Sequence, residues 1–302
     1  MSKDTFSSIW SGVLALALVA VSGCQTTVPM GWQLAEGVKT IQVNGYPMAY
    51  TEMGAGPSLV LVHGVLCDYR CMAPAQRGLS DDWTVRSVSL RRFFPERWDG
   101  SGTDFSLAQH VLDLGAFLEQ ANAPVDLVAW SYGAQVAYEL AKARPELIRR
   151  LVLAEAPMDS LVAAEGSSAK LIRQQRADKT AAMYKSGDME GGINFAIDAI
   201  NGLGAWSRAP EASKTVVRDN AWTVVGSGRD DPPSVRCEDF AALKMPVLLI
   251  IGEKTTPRFK EIVARQALCL PSARASTIAG SGHPTPLQNT QAFNQAVREF
   301  LR

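Results

Sequence analysis

The sequence predicts an α/β protein: a mostly parallel sheet with helices on both faces and an inserted helical cap. Three observations lead there. From Lys39 onward strand and helix patterns alternate, which implies parallel strands joined by right-handed crossovers. Several strand patterns are near-continuous apolar runs, as expected where helices cover both faces of a sheet. Between residue 158 and about residue 239 the pattern changes to short helical pieces, which reads as a block inserted over one end of the sheet.

Taken in order, residues 40–43 and 48–51 flank Asn44-Gly45, a two-residue hairpin signal. Residues 58–62 form an apolar run ending at His63-Gly64, and residues 83–90 read as another strand. Leu107, Val111, Leu114 and Leu118 carry the spacing of an amphipathic helix over residues 107–120. A strand at 125–129 leads into a helix at 132–143 closed by Pro145, and a strand follows at 148–154. The inserted block contains a helix over 171–185. It is expected to break at Gly191-Gly192, Gly202, Gly204, Pro210, Pro232 and Pro233. Pro246 opens a strand at 247–251, a final pair of helices brackets a strand at 275–278, and residues 293–301 close the chain. Ligands in such sheets sit beyond the carboxyl ends of the strands.

The chain has 302 residues, 47% of them hydrophobic, with 30 basic and 30 acidic side chains. Zero net charge leaves no footprint for nucleic acid or for a broad anionic surface and directs the search to a pocket. Residues 5–35 contain no charge, and residues 9–21 are an apolar run too short to span a bilayer, which takes about 20 residues. The run ends in Val21-Ser22-Gly23-Cys24, which resembles the lipobox of bacterial lipoproteins. That resemblance implies a signal peptide over 1–23, lipidation of Cys24, and a tether over 24–37 whose polar part is 25–31. Its acyl chains would anchor the protein to the cell envelope. Gln25 in place of an aspartate makes the periplasmic side of the outer membrane the expected address. The α/β domain is then 38–302, with the cap insertion at about 158–239. Cys67, Cys71, Cys237 and Cys269 remain; an exported site permits disulfides, but the expectation here is four buried free thiols.

The chemistry concentrates at strand ends. Ala129-Trp130-Ser131-Tyr132-Gly133 joins a buried strand directly to a helix. A serine in so sharp a turn needs small residues two before and two after it, and Ala129 and Gly133 supply them. The segment resembles the nucleophile elbow of the α/β-hydrolase family, with Ala129 replacing the usual first glycine. His63-Gly64-Val65 resembles that family's oxyanion loop, which implies the Val65 and Tyr132 amides as oxyanion donors and a structural role for His63. Of three histidines, His110 lies beside the apolar stripe of its helix. His283, in Ala279-Gly280-Ser281-Gly282-His283-Pro284, stands where the family keeps its general base.

The acid departs from the family pattern. Where most members carry Gly-x-x-Asp, this chain reads Gly252-Glu253-Lys254-Thr255. Glu155, 24 residues after Ser131 at the end of the next strand, is the first candidate replacement. Some haloalkane dehalogenases of the same superfamily take their acid from a glutamate at this strand end. Glu253, a cap carboxylate such as Asp230 or Asp231, or no acid at all stay open. The resemblance covers residues 38–302 and implies a serine hydrolase of ester-like bonds with no metal or organic cofactor. Its substrate is expected to be a small or medium uncharged acyl compound, with Phe195, Trp206, Trp222 and Met183 as candidate pocket residues. An acyltransferase, a carbon–carbon bond hydrolase using the same site, and a non-catalytic binding lipoprotein are the alternatives.

Overall fold

The computed structural model describes residues 32, 34–162 and 169–302. The signal segment, Cys24 and most of the tether lie outside them. Trp32 already packs edge-on against Tyr46, with ring centroids 5.8 Å apart.

Eight strands form one sheet: β1 (Val38–Val43), β2 (Tyr46–Met53), β3 (Ser58–Val62), β4 (Thr84–Val88), β5 (Val125–Trp130), β6 (Ile148–Ala154), β7 (Val247–Gly252) and β8 (Arg274–Ile278). Their spatial order is β1-β2-β4-β3-β5-β6-β7-β8. β1 and β2 are the hairpin expected at Asn44-Gly45, and both turn residues have positive φ, 47° and 74°. β2 pairs antiparallel with β4, and every later pairing is parallel.

The central strands alternate between two cores. Val60, Val62, Leu127, Leu151, Leu153 and Leu249 face one cluster, and Leu59, Leu61, Val128, Val152, Leu248 and Ile250 face the other. This is why their sequences read as near-continuous apolar runs: both faces are covered, so both phases of the two-residue repeat are mostly apolar. Helix α1 (Tyr69–Leu79) covers one face together with α12 (Thr290–Leu301); α2 (Leu107–Gln120), α3 (Tyr132–Ala143) and α10 (Pro257–Cys269) cover the other. Helix α1 has no clear sequence signal, because Pro74 sits inside it; Asp68 caps its start by accepting from the Arg70 amide.

Between β6 and β7 the described chain forms α4 (Ala169–Lys185), α5 (Met189–Asn201), α6 (Ala205–Arg208), α7 (Glu211–Asp219), α8 (Thr223–Arg229) and α9 (Cys237–Ala241). A small core of their own includes Ala181, Tyr184, Ile193, Trp206 and Val225. Gly191 and Gly192 do not interrupt the helices as expected. They lie inside α5, where a Cβ on Gly192 would stand 2.6 Å from the Tyr184 ring, so the glycine permits close packing against α4. The other expected breaks hold: Gly202 and Gly204, with φ of 95° and 73°, separate α5 from α6, Pro210 precedes α7, and Pro232 and Pro233 lie between α8 and α9.

The four cysteines are not free thiols. Cys67 pairs with Cys71 and Cys237 with Cys269, across Cα separations of 5.9 and 4.9 Å. Such distances suit a disulfide, and the fold sets them; sequence spacing does not reveal them. The second bridge ties the returning end of the insertion to α10. Among the described residues no helix is long and apolar enough to cross a membrane. Helix α11 (Thr285–Gln288) follows the loop after β8 and leads into α12.

Candidate active site

Ser131 sits between β5 and α3 with φ 55° and ψ −124°, a conformation forced on a non-glycine residue by the direct strand-to-helix junction. The turn is possible because its neighbours are small. A Cβ on Gly133 would lie 2.3 Å from the His63 carbonyl oxygen, and one on Gly64 would lie 2.9 Å from the Ser131 Cβ. The serine backbone is pinned by its N–H to the Ala154 carbonyl at 2.9 Å. Its Oγ does not cap α3, so it is free to act outward.

The loop between β8 and α11 brings His283 onto Ser131. The Ser131 hydroxyl donates to Nε2 at 2.9 Å, and Nδ1–H donates to Glu155 Oε2 at 2.6 Å. The ring stacks on Phe259, with centroids 4.0 Å apart, and the Trp130 indole N–H holds the His283 carbonyl at 2.9 Å. Burial lowers the imidazole pKa below its ordinary 6.5; the hydrogen bond and charge of Glu155 oppose that shift without cancelling it. The resting imidazole is therefore the neutral tautomer, able to accept at Nε2.

Glu155 is fully buried at the end of β6, with φ 47°. Three donors converge on its carboxylate: the Gly252 amide on Oε1 at 2.7 Å, and the Thr255 hydroxyl at 2.8 Å and the His283 ring on Oε2. Thr255 thus occupies the position where the usual pattern has its acid and donates to the carboxylate that stands at the histidine. Sequence reasoning missed this role, although the substituted position was itself the clue. Glu253 points elsewhere: its exposed carboxylate accepts from the Gly280 amide at 2.7 Å. Asp230 accepts from the Leu107 amide, and Asp231 pairs with Lys170.

Val65 and Tyr132 line the cavity with Ser131, and neither backbone N–H has a partner among the described residues. Their loop is held from two sides. His63 Nδ1–H donates to the Gly64 carbonyl and Nε2 accepts the Leu90 amide, while Leu66, at φ 61°, donates its N–H to Thr223 of the cap at 2.9 Å. His110 is buried between the Tyr132 hydroxyl and the Arg91 carbonyl. Burial pushes both His63 and His110 down to about 4, so each is neutral. Thr223 was a second residue without a sequence signal, since its partner is 157 positions away.

The cavity above Ser131 measures about 330 Å³ and is walled by α4, α5 and α8. Phe195 lines it; Trp206, Trp222 and Met183 do not, and Trp206 is buried in the cap's own core.

Known proteins resemble this chain in sequence and in fold. The profile of the Alpha/beta hydrolase family matches residues 59–296. A Bacillus subtilis (strain 168) protein provisionally named 2-succinyl-6-hydroxy-2,4-cyclohexadiene-1-carboxylate synthase is 26% identical over 213 residues, 67% of this chain and 74% of that one. A hydrolase structure from Pseudomonas aeruginosa PA01 superposes with TM-score 0.70 at 21% identity, over 89% of this chain and 99% of its own. A thermophilic esterase structure from Thermogutta terrifontis gives 0.69 at 19%, over 88% and 97%. The chain therefore belongs to the alpha/beta hydrolase family and has its fold.

Proposed function

We propose that the protein is a serine hydrolase that cleaves an ester or related acyl bond through an acyl-enzyme on Ser131. The observation that carries this reading is the continuous hydrogen-bonded line Glu155–His283–Ser131, at 2.6 and 2.9 Å, opening onto the cavity. His283 takes the Ser131 proton as Oγ attacks the acyl carbon, and the Val65 and Tyr132 amides receive the developing oxyanion. Glu155 keeps Nδ1 protonated and stabilises the imidazolium that forms. The same proton then goes to the leaving group. Water, deprotonated by His283, releases the acid and restores the serine.

The test is fluorophosphonate labelling of the full chain in detergent. Labelling of wild type that disappears in Ser131→Ala and His283→Ala supports the reading. A folded wild type that resists the probe refutes it and leaves the binding-lipoprotein alternative standing.

The envelope address belongs to the same proposal: a protein exported by its N-terminal segment and anchored through Cys24. The two disulfides support it, because such bonds persist in oxidising compartments and are rare in cytosolic proteins.

A further inference from the structure

The cavity above Ser131 carries polar chemistry that acyl transfer does not use. Arg173 and Arg176, three residues apart on one face of α4, line it from the cap side. Arg173 donates one Nη2–H to the Asp230 carbonyl at 3.0 Å, yet its Nε is buried and without a hydrogen-bond partner among the described residues. The Arg176 guanidinium has no ion-pair or hydrogen-bond partner among the described residues. On the core side Gln135 also lines the cavity. It is only 8% exposed, and its side-chain carboxamide has no hydrogen-bond partner among the described residues.

A buried donor without an acceptor is costly, and the Arg173 Nε is one that an acceptor entering the cavity would complete; Arg176 is exposed and adds an unpaired charge at the same wall. Neither carboxylate in the cavity wall does so through its side chain. Asp159 is held by Arg258, and Asp230 accepts from the Leu107 and Asp231 amides at 2.6 and 2.9 Å. With Arg258 included, three guanidinium groups face two carboxylates, which leaves one positive charge in excess. That balance suits a monoanion, and a guanidinium fork suits the planar geometry of a carboxylate.

We propose that the substrate is an acyl compound bearing a carboxylate remote from the scissile bond, seated on Arg173 and Arg176 with Gln135 as a further donor. This deepens the hydrolase reading and rests on it. It also replaces the expectation of an uncharged substrate, which came from the absence of any basic cluster in the linear sequence. Arg173, Arg176 and Gln135 meet at one cavity only after the cap folds over the sheet.

The experiment compares two chromogenic esters of equal acyl length on the full chain in detergent: mono-4-nitrophenyl glutarate and 4-nitrophenyl valerate. The wild type is expected to favour the glutarate ester by roughly tenfold or more in kcat/KM. That ratio falls by about the same factor in Arg176→Gln, which breaks no hydrogen bond or ion pair among the described residues. Arg173→Lys, which keeps the charge, lowers the ratio less than Arg173→Gln. A purely structural role would depress both esters together and leave the ratio unchanged. A ratio near one in wild type, or one insensitive to both arginines, overturns the carboxylate seat while the hydrolase reading survives. Binding is measured separately by titrating monomethyl glutarate into the Ser131→Ala protein. Saturable binding lost in the Ser131→Ala, Arg176→Gln double variant supports the seat even if neither ester turns over, an outcome in which only the hydrolase reading fails. Absence of binding together with a flat ratio overturns it.

Discussion

Replacing Glu155 by Gln keeps the shape of the side chain and removes its charge, and the surroundings dictate the consequence. Every neighbour of the carboxylate is a donor: the Gly252 amide on Oε1, and the Thr255 hydroxyl and His283 Nδ1–H on Oε2. A glutamine must therefore aim its NH2 at a donor whichever way it turns. If the amide nitrogen takes the place of Oε2, the imidazole answers by presenting Nδ1 as acceptor, which moves its proton to Nε2. Ser131 then faces a nitrogen that cannot take its proton. If the nitrogen takes the other place, it opposes the Gly252 N–H and the imidazolium still lacks its counter-charge. Loss of the orienting carboxylate lowers turnover by about 10⁴ in serine proteases, or about 5.4 kcal/mol of transition-state stabilisation, and the same scale is expected here. The assay is steady-state hydrolysis of 4-nitrophenyl valerate, with the acid limb of the pH profile recorded as well. Glu155 raises the His283 pKa, so its neutralisation moves the limb of the residual activity to lower pH. Glu253→Gln, remote from the imidazole, is expected to stay close to wild type. A Glu155→Gln enzyme retaining more than about a tenth of wild-type kcat/KM would refute the assignment, as would collapse of Glu253→Gln alone.

Thr255→Val removes one of the three donors and leaves a buried carboxylate lone pair unmet. It should cost about 1.5–3 kcal/mol of stability by denaturant unfolding, with kcat falling far less than in Glu155→Gln. Stability should also fall with acid. His63 and His110 are held neutral by burial at about 4 against an ordinary 6.5. Their contribution is complete above pH 6.5 and is lost as the pH drops towards 4, because the unfolded chain takes up those protons first. At pH 5 the loss is about 2 kcal/mol for each, and equal unfolding midpoints at pH 7.5 and pH 5 would contradict it. Cys24→Ser should release the protein from the membrane fraction of cells that export it; retention there would remove the lipid anchor.

Much of this protein is written locally. The alternation of apolar runs with amphipathic spacing specifies the parallel sheet, because strands buried on both faces cannot hide their pattern. Asn44-Gly45 specifies the first hairpin, because few residue pairs tolerate two positive φ angles. Ser131 was nominated by a motif whose small residues are sterically required and His283 by elimination and by its place after the last strand, and the fold brings them within 2.9 Å. Other features depend on residues far apart in the chain. The Cys237–Cys269 disulfide, the loop contact from Thr223 to Leu66, and the convergence of Gly252, Thr255 and His283 on Glu155 join positions that no spacing relates. Helix α1 was hidden by Pro74, and the glycines of α5 looked like breaks because only the approach of Tyr184 gives them a packing role. The charge of the cavity is the clearest case. A neutral composition distributes its arginines along the chain without a pattern, and only packing of α4 over the sheet brings Arg173 and Arg176 into one cavity with Ser131.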